Sequence, residues 1–158
     1  MALPKAIHTG LVTLTWSTEI EALGTKRYGT DGKVYQFVKL IDLDGAVNKM
    51  TYMTPTDYQV TIDATGGTAL AILHATGMLL ATVDISVAPY CWVQIEGETT
   101  FTAGSASIIA GDYLMPDTSE DGDLTEATAG TNANICAIAS AVVADNATGL
   151  CKLKNIVS

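Results

Sequence analysis

The stretch Tyr90–Met115 reads YCWVQIEGETTFTAGSASIIAGDYLM, and its pattern predicts three strands separated by glycine-containing turns. Apolar and polar side chains alternate from its start to Glu96, and Gly97 ends this first strand. A second strand begins at Glu98, and a turn around Gly111 precedes the third. The alternation predicts two faces for this strand. The core face consists of Cys91, Val93 and Ile95, and the other face, toward a second layer or a sister subunit, consists of Tyr90, Trp92 and Gln94. The stretch contains no catalytic pattern and predicts the framework of the protein.

Short alternating runs continue on both sides of this stretch. Asp31-Gly32 is a hairpin signal inside a turn region that spans 24–32. Residues 135–144 fit helical spacing and also a buried strand, and we favour a strand because it can pair with the last run of the chain. The other predicted strands are Leu11–Trp16, Lys33–Ile41, Val47–Met53, Tyr58–Ile62, a pair Ala69–Leu80 and Ala81–Val87 interrupted at Gly77, and Leu150–Val157.

This succession of short strands and turns indicates an all-β protein, a barrel or a sandwich, and not alternating β-α units. At 158 residues the chain fits one domain. We therefore predict a single β-domain over 1–158, with a body at 11–158. Residues 1–10 show no periodicity, and we expect them to form an extended arm that straps onto a neighbouring subunit or frays as a terminus.

The charges are few and unevenly placed. Charged residues make up 16% of the chain and the net charge is −9, which argues against a nucleic-acid partner because phosphate contacts need a basic patch. Six of the eight Lys and Arg residues lie between Lys5 and Lys49, and none lies between Met50 and Cys151, a span with twelve of the seventeen acids. This polarity either orients the protein on a partner surface or serves solubility alone.

The three cysteines, Cys91, Cys136 and Cys151, lie far apart in apolar or alternating runs. This placement predicts buried free thiols, and their odd number fits a reducing cytosol. The N-terminus lacks an apolar core of signal length, and no run approaches the ~18 apolar residues of a membrane helix. We therefore expect no membrane partner.

Several stretches resemble chemical sites in part. From Asp117 to Asp123 the chain matches early positions of an EF-hand calcium loop, but Thr128 stands where the bidentate Glu belongs, so a solvated hairpin loop is the better interpretation.

The remaining candidate residues also favour no chemical site. His8 and His74 lack the partners that a metal site or a catalytic triad needs. The paired acids Glu96 and Glu98 fit a solvent face better than a glycosidase site. The Gly-Gly turn at Thr65–Thr68 fits a loop better than a phosphate site. We predict no enzyme, no cofactor and no metal.

Three motifs in this order resemble the head decoration, or cement, proteins of tailed bacteriophages. The first is LGTKRYGTDGKVYQFVKL, which starts at Leu23. The second is YCWVQIEG at Tyr90 with AGDYLM downstream, and the third is ICAIASAVVADNATGLCKLKNI from Ile135. Together they span about residues 20–157.

The resemblance implies a compact β-barrel, or β-tulip, on the outside of a mature icosahedral head, made in the host cytoplasm. It implies a homotrimer at three-fold positions that bridges adjacent major capsid protein subunits and stabilises the shell. A decoration protein needs a rigid body, a self-complementary face and a face for the shell. We place the partner contacts on the arm and on the basic turn: Leu3, Pro4, Lys5, Ile7, Lys26, Arg27 and Tyr28.

Two other structural roles remain open. A receptor- or carbohydrate-binding module of a phage fibre needs Trp or Tyr on a concave face, and Trp16 and Trp92 are the candidates, although both lie in runs that predict packing. A tail-tube or head-completion protein would assemble into hexameric or dodecameric rings. The oligomeric state separates this role from a trimeric decoration protein.

Overall fold

The computed structural model describes residues 6–54, 56–64, 74–104, 106–127 and 134–153, and these form twelve strands and one short 3-10 helix, Thr9–Leu11. The predicted all-β class is confirmed. The strands are β1 Ala6–Ile7, β2 Thr15–Trp16, β3 Lys26–Gly29, β4 Val34–Leu40, β5 Met50–Met53, β6 Gln59–Thr61, β7 Ala75–Leu79, β8 Tyr90–Thr102, β9 Tyr113–Pro116, β10 Leu124–Glu126, β11 Ala137–Ala139 and β12 Thr148–Leu153.

All twelve strands belong to one continuous sheet rather than to a simple barrel. Its main path runs β1-β3-β4-β6-β5-β7-β8-β12-β11-β9-β10, and β2 pairs with β8. Because β4 also pairs directly with β8, the strands β4, β6, β5, β7 and β8 form a closed circuit. We call this circuit with its N-terminal cover the N lobe. The strands β9 to β12 with the second half of β8 form the C lobe.

Strand β8 belongs to both lobes. Its first half pairs with β4, and its second half, from Gly97 to Thr102, pairs with β12. Contrary to the prediction, the strand does not end at Gly97. This glycine has a φ of +98° and lies at a bend, and the buried Gln94 side chain donates to the carbonyl oxygens of Glu96 and Glu98 around it. The strand is therefore bent and continuous, and it holds the two lobes together.

The two faces of β8 are buried under different layers, as the alternation predicts. Cys91, Val93 and Ile95 lie inside the closed circuit against β4 and β6. Trp92 lies on the opposite face and contacts Phe37, with 5.2 Å between ring centroids. The N-terminal segment covers this second face, so the set that includes Trp92 packs under another layer of the same chain. A third cluster, around Phe101, Leu114 and Leu124, fills the C lobe and extends to Met50, Tyr52 and Met78 of the N lobe.

The ambiguous run at 135–144 contains a strand, as we favoured. β11 pairs antiparallel with β12, and Ile138 lies opposite Lys152. The strand is only three residues long, because the chain turns at Ser140 and then makes an isolated bridge between Val143 and Ile108. The run thus follows two short segments of sheet instead of one long strand.

Other sequence-based boundaries are wrong for identifiable reasons. Residues 26–29, assigned to a turn, form β3, although the hairpin turn at Asp31-Gly32 is confirmed. Of the predicted strand 11–16, only β2 is a strand, since the His8 side chain caps a 3-10 helix there by accepting from the Gly10 amide.

The predicted pair of strands around Gly77 also differs from the structure. Residues 81–87 are mostly turn. Gly77 lies within β7 and does not interrupt it. A Cβ atom at this position would lie 2.8 Å from the Gln94 carbonyl oxygen, so the glycine permits the close approach of β8.

Candidate functional site

The predicted arm and the predicted basic turn meet at one edge of the sheet. β1 pairs in parallel with β3, which places Ala6 opposite Tyr28 and Ile7 opposite Gly29. We call β1 and β3 the N-terminal edge. β1 pairs with the chain's own β3, and the 3-10 helix Thr9–Leu11 follows it and begins within the predicted arm. Leu3, Pro4 and Lys5 lie outside the described residues.

The predicted contact residues at this edge point in different directions. Ile7 is buried in the cluster around Trp92. Arg27 lies on the same face of the sheet and makes an ion pair with Glu21. Lys26 and Tyr28 lie on the other face of β3, where Lys26 is exposed and Tyr28 is 50% exposed. The structure therefore separates an exposed face of the edge from a face that is already packed and paired.

A concavity of about 200 Å³ lies on the packed face, beside Arg27. Trp92 forms part of its lining and is only 2% exposed, whereas Trp16 is partly exposed there. Its other lining side chains combine apolar groups with a few polar ones: Ala6, Ile7, Leu11, Ile20, His8, Glu21 and Arg27. The two tryptophans that the sequence offers for a concave aromatic face thus border one depression.

A second surface, on the C lobe, was missed by sequence reasoning. Ile108 and Val143 exchange two backbone hydrogen bonds of 2.9 Å and are buried. Their neighbours Ile109 and Val142 consequently face each other on the outside, where they are 61% and 74% exposed.

The same outward face continues across β9, β11 and β12. Tyr113, Ile138 and Lys152 lie side by side in register, and Leu150 lies two residues before Lys152 on the same face. The seven residues of the C-terminal outer face are Ile109, Tyr113, Ile138, Ser140, Val142, Leu150 and Lys152. At its β8 border the face meets the exposed Glu98, which lies directly opposite Lys152 on the same side of the sheet. A periodicity search cannot find this face, because its apolar members come from three separate stretches of the chain.

The loop that resembles an EF-hand connects β9 and β10 as a hairpin, as predicted, but it is not fully solvated. Asp117 and Asp123 are 6% and 3% exposed. Asp117 accepts hydrogen bonds from the amide and hydroxyl of Ser119, and Lys49 forms an ion pair with Asp123. Among the described residues, no group of three or more His, Cys, Asp or Glu side chains is arranged to hold a metal ion.

The loop acids instead attach the hairpin to the rest of the protein. The carboxylate of Asp121 accepts from the Ala64 amide at 2.9 Å, and Met50 donates its amide to the Gly122 carbonyl at 2.7 Å. Burial raises the pKa of Asp123, while Lys49 acts against this rise. The loop therefore forms a polar junction between the two lobes.

The cysteines are free and buried, as predicted. Burial raises the pKa of the Cys91 thiol to about 12, and burial with the nearby Glu98 charge raises that of Cys151 to about 12. Such thiols are poor nucleophiles. In the part of the chain that the structure describes, no helix is long and apolar enough to cross a membrane.

Comparison with known proteins gives a likeness in structure alone. No family model and no curated protein matches the sequence. The fold is similar to the crystal structure of the N base of head fiber gp8.5 in bacteriophage phi29, with a TM-score of 0.51 and 10% sequence identity. The similarity covers 78% of this chain and 96% of that chain. The chain therefore shares its fold with the base of a phage head fiber.

Proposed function

We propose that this protein is a structural component of a tailed-phage virion that binds the outside of the capsid as a trimer, bridges major capsid protein subunits and stabilises the mature head. The fold similarity to the base of a head fiber carries this proposal most strongly. The order of motifs that resembles head decoration proteins supports it from the sequence alone. Neither argument depends on a chemical site.

The two exposed surfaces fit the two contacts that such a role requires. The C-terminal outer face is largely apolar, and its lysine lies beside an acid of opposite sign, so copies of a chain with net charge −9 can approach there with little repulsion. Lys152 lies directly opposite Glu98 at its border, and this arrangement allows complementary ion pairs in a closed assembly. We assign this face to contacts between subunits.

The exposed face of the N-terminal edge fits the shell contact. Among the strands of the described residues, β1 is the last on its side of the sheet, so its outer backbone groups can accept a strand from a capsid subunit. Lys26 and Tyr28 lie beside this edge and supply a positive charge and an amphipathic ring. Because Glu21 already neutralises Arg27, we expect Lys26 to contribute more to the attraction of an acidic shell.

We expect the double substitution Ile109→Asp and Val142→Asp to convert the trimer into monomers. Burial of each apolar side chain stabilises by roughly 1.5–3 kcal/mol, and a carboxylate in its place adds repulsion and desolvation. The dissociation constant of the trimer should therefore rise by more than about 100-fold. Sedimentation velocity measures this change directly.

A matched control is Leu43→Asp with Val47→Asp, which alters two exposed apolar residues in the N lobe. It should leave the trimer intact. Monomeric wild-type protein, or equal loss of the trimer in the control, would contradict the assigned face. A hexamer would favour a tail-tube protein instead.

We expect Lys26→Glu to weaken attachment to expanded, undecorated heads by about tenfold at low salt, with a smaller difference at high salt, because an exposed charge acts through screened attraction. Purified trimer is added to the heads, and occupancy is measured by cosedimentation and by electron cryomicroscopy. Lys33→Glu changes the net charge equally but lies at the hairpin turn, and it should keep most of the occupancy.

Two results would contradict the proposal at different levels. Bare three-fold positions after addition of the wild-type trimer would contradict attachment itself. Density at these positions with unchanged occupancy for Lys26→Glu would leave attachment intact and contradict the electrostatic contact.

The fold similarity also favours a second candidate, the capsid-attached base of a head fiber. Such a base would hold a longer projecting chain. Imaged virions distinguish the two roles, because a decoration protein appears as a compact knob and a base carries a fibre beyond it.

A further inference from the structure

The concavity beside Arg27 combines the features of a small-ligand site. Two indole side chains and four aliphatic side chains supply apolar lining, and His8, Glu21 and Arg27 supply the polar groups. Ligand sites in proteins likewise combine apolar lining with a few placed polar groups. Pockets for drug-sized molecules measure about 300–1,000 Å³, so a concavity of about 200 Å³ suits a single ring.

The charges in the concavity favour a neutral ligand. Arg27 and Glu21 form an ion pair, with side-chain exposures of 18% and 29%. A ligand carboxylate would meet the Glu21 charge, and a ligand ammonium would meet that of Arg27. A hydroxyl group both donates and accepts, so it can accept from the guanidinium and donate to the carboxylate.

The remaining lining supports the same ligand class. The Nδ1 atom of His8 accepts a hydrogen bond from the Gly10 amide at 3.2 Å, so the neutral imidazole carries its hydrogen on Nε2 and can donate to a ligand. Trp16 is partly exposed and meets Phe37 edge-on, with 5.9 Å between ring centroids. The indole supplies an apolar surface for the C–H face of a sugar ring.

We infer that this concavity binds a single neutral saccharide ring, with Trp16 against the apolar face of the ring and Glu21, Arg27 and His8 on its hydroxyl groups. Arg27 and the exposed pair Lys26 and Tyr28 lie on opposite faces of β3, so the saccharide site and the proposed shell contact use different surfaces. The inference is independent of the proposed function. A sugar-binding result and a head-binding result can each succeed or fail separately.

Intrinsic fluorescence tests the site directly, because the chain has two tryptophans and both line it. The full chain is titrated with methyl α-glucoside, methyl β-galactoside and N-acetylglucosamine up to about 50 mM, since an isolated ring in a shallow site binds in the millimolar range. We expect a saturable change in emission with at least one probe. Glucuronic acid and glucosamine serve as charged counterparts and should bind more weakly than the neutral sugars.

Two variants locate the binding. Glu21→Gln keeps the shape of the side chain and should weaken binding at least about tenfold, because the negative charge is lost and an NH2 group replaces one acceptor oxygen. Tyr28→Ala lies on the opposite face of β3 and should leave binding unchanged. Saturation-transfer NMR on the same samples follows the sugar protons and does not depend on tryptophan emission.

Four results would overturn the inference. They are the absence of saturation with every neutral probe, tighter binding of a charged counterpart, equal losses in Glu21→Gln and Tyr28→Ala, and binding that requires deletion of residues 1–5. The last result would assign the concavity to the chain's own N-terminus.

Discussion

Trp92→Ala should lower the free energy of unfolding by about 3–5 kcal/mol, the range for loss of a large buried aromatic side chain. Trp92 is 2% exposed and packs against Phe37, which is directly opposite it on β4. The N-terminal segment covers both rings, so the vacated space cannot easily collapse. Since whole domains are stable by only about 5–15 kcal/mol, this single change removes a large part of the total.

Urea denaturation followed by circular dichroism measures the effect, with two variants for comparison. Trp92→Phe keeps an aromatic ring against Phe37 and should lose less than about half as much. Trp16→Ala removes the other tryptophan, which is partly exposed and packs at the edge of the same cluster. Equal losses for Trp16→Ala and Trp92→Ala would contradict the view that Trp92 supports the N-terminal cover.

Lys49→Met should destabilise the protein by about 2–4 kcal/mol at neutral pH, because it leaves the Asp123 carboxylate buried without its cation. The Asp123 side chain is 4% exposed and that of Lys49 is 23% exposed, so water compensates only part of the loss. Methionine preserves the length and apolar stem of the lysine. Thermal and urea unfolding, compared with wild type, measure the change.

The effect should depend on pH with a defined sign. The folded-state pKa of Asp123 is raised by burial, and loss of Lys49 raises it further. A carboxyl group with a higher pKa in the folded state holds its proton longer there than in the unfolded chain. Stability therefore falls as pH rises from the unfolded value through the folded one, and the Lys49→Met loss should be smaller at pH 4 than at pH 7.

The double variant Lys49→Met with Asp123→Asn completes the cycle. An amide needs no counter-ion, so the pair should recover to within about 1 kcal/mol of wild type. If the stability lost in Lys49→Met is independent of pH and Asp123→Asn restores none of it, the lysine acts through packing alone.

The sequence predicts the two faces of the central strand correctly because alternation is a local property of extended chain. The pattern alone predicts opposite faces for Cys91 and Trp92, and in the structure each face packs in its own cluster. The continuity of β8 through Gly97 was not predictable, since glycine signals a turn as readily as a bend. Only the pairing of β8 with the distant strands β4 and β12 decides between them, and the local hydrogen bonds from Gln94 hold the bend.

The surfaces were harder to predict than the core. The sequence indicated Lys26 and Tyr28, but the pairing of Arg27 with Glu21 depends on how the loop between β2 and β3 folds back. The C-terminal outer face joins Ile109 to Val142 through one isolated bridge between loops. Short strands of two or three residues carry almost no periodic signal, so β1, β6 and β11 are defined mainly by their neighbours.

The position of β8 in both lobes has a consequence for how the chain reaches its native state. Its second half obtains a partner only when β12, about fifty residues later in sequence, is available. Such distant pairings require loop closure before any stabilisation is gained, so we expect refolding in milliseconds to seconds instead of microseconds. During synthesis the C lobe stays open until Leu153 has left the ribosome, and its apolar strands are exposed to aggregation in that interval.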